Sequence, residues 1–454
     1  MEQSSNKPAV KNPFRLLTQR RFLPFFVTQF LGALNDNLFK NALLVIVVST
    51  AVAGADSSTN FTTNLAAGLF ILPYFLFSTT AGQLADRYDK ALLIRRIKFA
   101  EIILMVAGCY ALWLGDVNWM LAILFLLGVQ SAFFGPIKYS IIPQHLSSDE
   151  LLAGNAHVGM GTFVSILLGT LIGGWLVTAD QGPIYVGVLA IGFAMIGWLC
   201  SRQIPDAPAD STSGIDKLSL NPIRVTVHNY KLARENSMVF HCILGISWFW
   251  LYGGAFLTQV PNFAVTVLKG DPTLISVLLA AFIVGVAKGS LLCHRFSSGN
   301  VEPGLVPLGG LGLSLFAIDL YFTSNAYQAG NLLTEAILPM QFLGLGTGIH
   351  IMLDLMFIGM FGGFLIVPLY SMIQERTSGD RRARVISVNN IFNALYMVTG
   401  AVLGILFLSV LGWTIPQFFL AIALLNILML GAIFYSAPEF IYRFSAWITS
   451  LIRS

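Results

Sequence analysis

Long, uninterrupted apolar stretches dominate this chain of 454 residues. About twelve of them reach some 20 residues, the length that an α-helix needs to cross a hydrocarbon core about 30 Å thick. Hydrophobic residues make up 56% of the chain and charged residues only 11%, whereas soluble domains are about 25% charged. The apolar runs are continuous and do not alternate with a period of two, which argues against a membrane β-barrel. The sequence therefore predicts an all-α protein that crosses a membrane many times.

The predicted spans divide into two sets of six. The first set lies near 22–53, 62–84, 91–114, 117–139, 152–178 and 183–201. The second set lies near 238–268, 273–296, 303–323, 348–374, 382–411 and 414–436. These spans predict four parts, namely a six-helix bundle over 1–201, a cytoplasmic linker over 202–237, a second six-helix bundle over 238–436 and a cytoplasmic amphipathic tail over 437–454. Within the linker, 205–214 is typical of a flexible segment and 217–235 of an amphipathic surface helix.

The basic residues lie mainly on one side of the predicted spans. Of the 26 Lys and Arg residues, all but Lys40, Lys269 and Lys288 fall at the N-terminus, the even-to-odd connections, the central break or the C-terminal tail. Positive residues are retained in the cytoplasm during insertion, so both termini are predicted to be cytoplasmic. The segment 1–19 is polar and basic, which predicts that the first span is retained. Because the basic residues are dispersed, the net charge of +4 does not predict a nucleic-acid partner.

A short internal repeat relates the two sets of spans. The segment Pro136–Gln144 resembles Pro368–Gln374, and the Tyr-Ser pairs within them are 231 residues apart. Each segment is followed by an acidic residue and then by an asparagine, Asn155 in the first set and Asn389 in the second. The likeness covers a helix end, a loop and the next helix. It predicts two parallel six-helix repeats.

The connection between the second and third spans carries a conspicuous mixture of glycine and charge. Gly82 permits close helix approach, Asp86 can accept hydrogen bonds from free N–H groups at the start of a neighbouring helix, and Arg87 supplies a paired charge. The alternative is a cytoplasmic loop that merely collects basic residues. The stretch resembles the signature loop of the major facilitator superfamily, and we predict that Gly82, Asp86 and Arg87 take part in gating. In the second half Cys293 stands where the acid would be.

Charges inside the predicted spans are the main candidates for function, because each costs about 2.5–3.5 kcal/mol to insert. Asp36 lies near the middle of the first span, and Lys40 follows four residues later. Residues at this spacing can pair on one helix face, which predicts either a zwitterionic binding surface or a purely structural ion pair. Histidine and cysteine do not cluster, and no nucleophile or nucleotide-binding motif is present. The sequence thus predicts no enzyme, no cofactor and no metal site.

Three segments resemble the lysophospholipid transporter (LplT) family of the major facilitator superfamily, namely Phe30–Asn37, Gly82–Arg87 and Gly135–Tyr139. This resemblance implies the major facilitator fold, with 12 transmembrane helices in two six-helix halves. It implies that lysophospholipids, chiefly lysophosphatidylethanolamine, move from the outer to the cytoplasmic leaflet of a bacterial cell inner membrane. It further implies reacylation there by a separate acyltransferase or acyl-ACP synthetase.

The resemblance also places spans 1, 4, 7 and 10 around a central cavity. The residues predicted to bind substrate are Gln29, Asn35, Asp36, Asn37, Lys40, Gln130, Lys138, Tyr252 and Asp354. Family members carry an Arg in span 7 that pairs with the span 1 Asp, but 248–260 contains no basic residue here. Lys40 is the predicted local substitute.

Two other functions fit the same sequence. A proton-coupled exporter of drugs or amphiphiles would use Asp36, Glu101 or Asp354 as its proton carrier. A membrane scaffold that recruits a lipid acyltransferase would need no transport path. Transport by purified vesicles separates the scaffold from both transporters, and dependence on a pH gradient favours the exporter.

Overall fold

The computed structural model describes residues 13–52, 58–209, 221–297, 301–330 and 336–453. The first half contains α1 (Leu23–Val52), α2 (Ser58–Arg87), α3 (Lys90–Leu114), α4 (Val117–His145), α5 (Leu151–Leu176) and α6 (Gly182–Ser201). The central segment contains α7 (Pro222–Arg234). The remainder contains α8 (Ser237–Asn262), α9 (Pro272–Phe296), α10 (Leu305–Gly330), α11 (Pro339–Leu343), α12 (Gly346–Arg376), α13 (Arg382–Gly404), α14 (Ile415–Ser436) and α15 (Glu439–Arg453).

Twelve helices of the described residues are long and apolar enough to cross a membrane, namely α1 to α6, α8 to α10 and α12 to α14. This count confirms the prediction of twelve spans. Polar residues in the connections start several of these helices by accepting hydrogen bonds from free N–H groups. Asp89 caps α3 in this way, Asp116 caps α4, Asn236 caps α8 and Asp271 caps α9. Short polar connections therefore fix where each apolar helix begins.

The helices of the two halves pair in the same pattern. In the first half α1 packs on α5, α2 on α4 and α3 on α6, and in the second half α8 packs on α13, α9 on α12 and α10 on α14. The internal repeat of the sequence predicts this correspondence. The two halves meet mainly where α2 contacts α13 and where α5 contacts α9.

Because twelve crossings are an even number, the first and last spans have their outer ends on the same side of the bundle. We call this side the terminal face and the other side the opposite face. Helices α1, α3 and α5 begin at the terminal face, as do α8, α10 and α13, whereas α12 begins at the opposite face. The depth of a residue is its distance along the helix from one of these two faces, and it can be compared between helices.

Two amphipathic helices lie at the terminal face. Helix α7 falls inside the predicted surface helix 217–235 and packs against α2 and α13, with Asn229 Nδ2 3.3 Å from Ser387 Oγ. Residues 210–220, which include part of the predicted flexible segment, lie outside the described residues. Helix α15 lies in the predicted tail, and Trp447 Nε1 donates a hydrogen bond of 2.8 Å to the Phe296 carbonyl at the end of α9. The predicted boundaries of the four parts stay predictions.

Candidate functional site

A buried carboxylate joins three helices of the first half. Glu101 of α3 accepts hydrogen bonds from Lys98 Nζ at 2.6 Å, Gln130 Nε2 at 2.8 Å and Asn35 Nδ2 at 3.1 Å. The Lys98 side chain is 1% exposed and that of Glu101 2% exposed. An ion pair this deep needs additional hydrogen bonds to offset its desolvation, and the two amides provide them. Asn35 of α1 and Gln130 of α4 thus meet at a charged centre on α3.

The close approach of α1 to this centre depends on a glycine. A Cβ atom at Gly32 would collide with Lys98 Nζ, so a larger residue there would displace the ammonium group. On its other side Lys98 Nζ lies 5.0 Å from the centroid of the Phe134 ring, which is a favourable cation–π distance. The motif around Gly32 therefore has a packing reason as well as a polar one.

Asp36 lies beside this centre and is 8% exposed. Ser131 Oγ of α4 donates a hydrogen bond of 2.5 Å to Asp36 Oδ2, while Asp36 Oδ1 is buried with no hydrogen-bond partner in the described part of the chain. A buried acceptor without a donor costs free energy, and such groups are uncommon in native structures. Asp36 Oδ1 can accept a hydrogen bond from a ligand that carries an ammonium or hydroxyl group, or it can take up a proton.

The predicted ion pair between Asp36 and Lys40 is not formed in the described structure. Lys40 Nζ instead donates a hydrogen bond of 2.9 Å to Asn37 Oδ1 and lies 5.8 Å from the centroid of the Phe70 ring. Asn37 is three residues from Lys40 on the same helix, whereas Asp36 is turned toward Ser131 on α4. Lys40 is only partly buried. The prediction assumed that spacing alone determines the partner, and it was wrong on this point.

A second cation lies closer to the terminal face. Lys138 of α4 is seven residues beyond Ser131, which corresponds to about 10 Å along the helix. Lys138 Nζ donates a hydrogen bond of 2.8 Å to Thr162 Oγ1 on α5, and Thr162 Oγ1 lies 3.2 Å from Gln29 Oε1 on α1. Gln29 is 1% exposed, and its Nε2 donor has no partner among the described residues. Lys138 and Gln29 thus form a second polar group, separate from Asp36.

Two predicted substrate-binding residues lie elsewhere. Tyr252 is fully buried inside the second half, where its hydroxyl donates to the Leu313 carbonyl at 2.8 Å and its ring stacks on Phe256. Asp354 is 1% exposed and faces His350 and α10. Both side chains thus make their contacts inside the second half, and their part in substrate binding stays a prediction. The sequence gives the depth of a residue within a span, but it does not say toward which neighbouring helix the side chain points.

The predicted gating loop reaches across to the second half. Asp86 Oδ1 accepts a hydrogen bond of 2.9 Å from Ala383 N, and Asp86 Oδ2 accepts bonds of 3.1 Å from both the backbone N and Nε of Arg384. A Cβ atom at Gly82 would lie 2.8 Å from Ser387 Cβ, so the glycine permits the close approach of α2 to α13. The charge paired with Asp86 comes from Arg384 and not, as predicted, from Arg87. Among the described residues, Arg87 forms no ion pair.

The repeated Tyr-Ser segments of the two halves meet near the terminal face. The rings of Tyr139 and Tyr370 stack with centroids 3.9 Å apart and planes within 5°. Next to them Asn155 and Gln374 form a reciprocal amide pair, with bonds of 2.6 and 3.0 Å, and Asn155 also donates to Ser371 Oγ. Together with Asp86, these contacts close the cleft between the two halves at the terminal face.

Sequence reasoning did not include three residues of the polar network in the site. Lys98 follows the basic residues of the connection after Asp86, and its spacing of three from Glu101 is the signal that could have indicated a helical ion pair. Ser131 and Thr162 have no sequence signal, because single hydroxyls are common in transmembrane helices and usually bond to their own backbone.

Comparison with known proteins places the chain in a family. The family model described as Major Facilitator Superfamily matches residues 25–355. The chain is 25% identical over 387 residues to "Lysophospholipid transporter LplT" of Yersinia enterocolitica, covering 83% of this chain and 84% of that protein. It is 26% identical over 362 residues to the protein of the same name from Salmonella typhi, covering 78% and 79%.

Solved structures agree at the level of the fold. The human organic anion transporter MFSD10 superposes with a TM-score of 0.68 at 15% identity, covering 93% of this chain and all of that one. The E. coli fucose:proton symporter FucP superposes with a TM-score of 0.66 at 14% identity, covering 93% and 99%. The resemblance noted in the sequence is confirmed, and the chain belongs to the Major Facilitator Superfamily.

Proposed function

We propose that this protein is a secondary transporter that moves lysophospholipids, chiefly lysophosphatidylethanolamine, from the outer to the cytoplasmic leaflet of a bacterial inner membrane. The observation that carries the proposal is Asp36 of α1, whose Oδ1 is buried without a partner among the described residues, next to the ion pair of Lys98 and Glu101. An ethanolamine ammonium group is a matching donor. The relatives named as lysophospholipid transporters support the same substrate class.

The phosphate of the same head group requires a cation. Lys40 lies one helical turn from Asp36 toward the opposite face, and Lys138 lies about two turns beyond Ser131 toward the terminal face. Both lysines are only partly buried. A zwitterionic head group that passes Asp36 therefore finds a cation on either side, while a single acyl chain can stay among apolar helices and lipid tails.

The distribution of basic residues supports inward movement along this path. If the terminal face is cytoplasmic, as the Lys and Arg distribution indicates, the contacts of Asp86, Tyr139 and Asn155 close the cytoplasmic end of the cleft. A path closed at that end can admit a substrate only from the outer side, which is where a lysophospholipid of the outer leaflet would enter. Reacylation after transport would fall to a separate acyltransferase or acyl-ACP synthetase.

The test is uptake of radiolabelled lysophosphatidylethanolamine into proteoliposomes, without nucleotide, by the parental protein and by Asp36→Asn. The amide keeps the size of the side chain but removes its charge, and we expect uptake to fall at least tenfold. Lys288→Gln is the matched control, because Lys288 is a charge within a span that is exposed on α9, and it should transport at the parental rate. Parental uptake by Asp36→Asn, or no uptake by folded parental protein, would refute the proposal.

One observation favours a second candidate. The unpaired Asp36 oxygen also suits a proton carrier in an exporter of amphipathic compounds. In the same vesicles an imposed pH gradient would then drive the efflux of a fluorescent amphiphile, and lysophosphatidylethanolamine would not compete with it. Competition by the lysophospholipid, with no effect of the gradient, would argue against the exporter.

A further inference from the structure

Three titratable side chains meet between α10 and α12, outside the site described above. His350 Nε2 lies 3.0 Å from Asp319 Oδ2 and 3.8 Å from Asp354 Oδ1. Each residue offers one donor atom, and these atoms all lie within 4.8 Å of one another. His350 is only four residues from the start of α12 at the opposite face. The three residues, which we call the α10–α12 cluster, are thus within reach of ions from that side.

The buried member of this cluster has an unsatisfied oxygen. The Asp354 side chain is 1% exposed, and its Oδ2 has no hydrogen-bond partner among the described residues. A second carboxylate, that of Asp319, lies 3.0 Å from the same imidazole nitrogen. Two carboxylates with a neutral histidine carry two negative charges, and an uncompensated charge in a poorly solvated position is costly. A bound cation would neutralise the cluster and give the buried Asp354 carboxylate a charged partner.

The donor types indicate which cation fits. One imidazole nitrogen with two carboxylate oxygens is a common ligand set for Zn²⁺, which binds these atoms at about 2.0–2.2 Å. In a tetrahedral site, ligand atoms at that radius are about 3.3 to 3.6 Å apart. The separations of 3.0 and 3.8 Å from His350 Nε2 bracket this value, and the two carboxylates lie within 4.8 Å of each other. Rotation of the two exposed side chains, Asp319 and His350, would bring the three ligand atoms to tetrahedral spacing.

Access to the site is also available. Asp319 is 44% exposed and His350 50% exposed at the side chain, whereas Asp354 forms the closed end of the cluster. A cation with three protein ligands keeps one position for water, and the exposed side of the cluster leaves room for it.

We propose that Asp319, His350 and Asp354 bind one divalent transition-metal cation of the Zn²⁺ class from the opposite face. This proposal does not depend on lysophospholipid transport, because it concerns a different surface of the second half and is tested by binding alone.

The experiment uses the whole purified protein in detergent, without a polyhistidine tag, and titrates it with Zn²⁺ and with Co²⁺, whose visible absorption reports tetrahedral coordination. We expect one equivalent of metal to bind, and His350→Gln and Asp319→Asn each to weaken binding at least tenfold. Both substitutions are at half-exposed positions, so folding should be retained. Matched controls are His228→Gln on α7 and Asp180→Asn between α5 and α6, both exposed, and they should bind as the parental protein does.

Loss of the single equivalent in both cluster variants, with binding retained in both controls, supports the site. If the folded parental protein takes up no Zn²⁺ or Co²⁺, or if the cluster variants bind as tightly as the parental protein, the proposal is wrong. The cluster would then be a hydrogen-bonded bridge between α10 and α12 that shares a proton.

Discussion

Replacing Glu101 by Gln should destabilise the first half strongly, because it leaves the Lys98 ammonium buried without its counterion. Glu101 accepts hydrogen bonds from Lys98, Gln130 and Asn35, and both charged side chains are 2% exposed or less. Asn35 bonds to Oε1 of Glu101, whereas Lys98 and Gln130 bond to Oε2. The substituted amide keeps only one acceptor oxygen, so besides removing the charge it places an NH₂ group against a neighbouring donor. Breaking one partner of a buried ion pair typically costs about 3–5 kcal/mol. We expect a loss of this size in the free energy of unfolding.

Removing both charges tests whether Lys98 and Glu101 act as a pair. In Lys98→Met with Glu101→Gln both charges are gone, so we expect it to be more stable than either single variant, in a strongly non-additive cycle. The four proteins are compared by denaturant titration in one detergent, with Lys288→Met as a control that should lie within about 0.5 kcal/mol of the parental protein. A double variant whose cost equals the sum of the two single costs would show that Lys98 and Glu101 do not act as a pair.

Two further predictions concern the terminal face. Asp86→Ala removes three hydrogen bonds, each involving a charged carboxylate and together worth a few kcal/mol. It should therefore raise the rate at which an impermeant thiol reagent labels Ser371→Cys at least tenfold. An unchanged rate would show that the Asp86 contact does not hold the two halves together at the terminal face. The pKa of Glu439 lies below its usual range because Arg376 donates hydrogen bonds to it, so docking of α15 should be complete above the ordinary pKa of about 4.3 and weaken as the pH falls through the lower folded value. Trp447 fluorescence should report this loss, and Glu439→Gln should lack it.

The number of spans and the terminal-face contact of Asp86 could be predicted, because both depend on local sequence. An apolar run must reach a fixed length to cross a membrane, and an acid at a helix end has a free helix terminus as its natural partner. Depth along a span likewise follows from the rise per residue, and Asp36 was therefore placed correctly among the polar residues of α1. These features need no knowledge of which helices are neighbours.

The direction in which a side chain points around its helix could not be predicted in the same way. Tyr252 and Asp354 have the depth of cavity residues, but their side chains point toward α10 within the second half. Lys40 had two acceptors on its own helix, and the choice of Asn37 over Asp36 depended on Ser131 from another helix. A side chain in a bundle takes the partner that packing supplies. A single sequence does not determine which helix lies next to a given span, or how that helix is rotated about its own axis.

The two halves share a fold but not the chemistry that closes the terminal face. The acid of α2, Asp86, binds the start of α13, whereas the corresponding position on α9 is the buried Cys293. The start of α5, which an acid on α9 would serve, follows a short 3₁₀ turn over Ser148–Glu150. Ser147 and Glu150 form a capping box on this turn, and Arg21 binds Glu150 at 2.5 Å. The charged contacts next to the start of α5 thus come from its own half.

This difference predicts how the terminal face should open. On the α2 side the halves are joined by a buried carboxylate with charge-assisted hydrogen bonds, and on the α5 side by the neutral amide pair of Asn155 and Gln374. Charge-assisted bonds are roughly twice as strong as neutral ones. We therefore expect the α5 side to part first and the Asp86 contact to limit full opening. Asn155→Ala should then raise the opening rate less than Asp86→Ala does, although both residues are buried and both contacts join the same two halves.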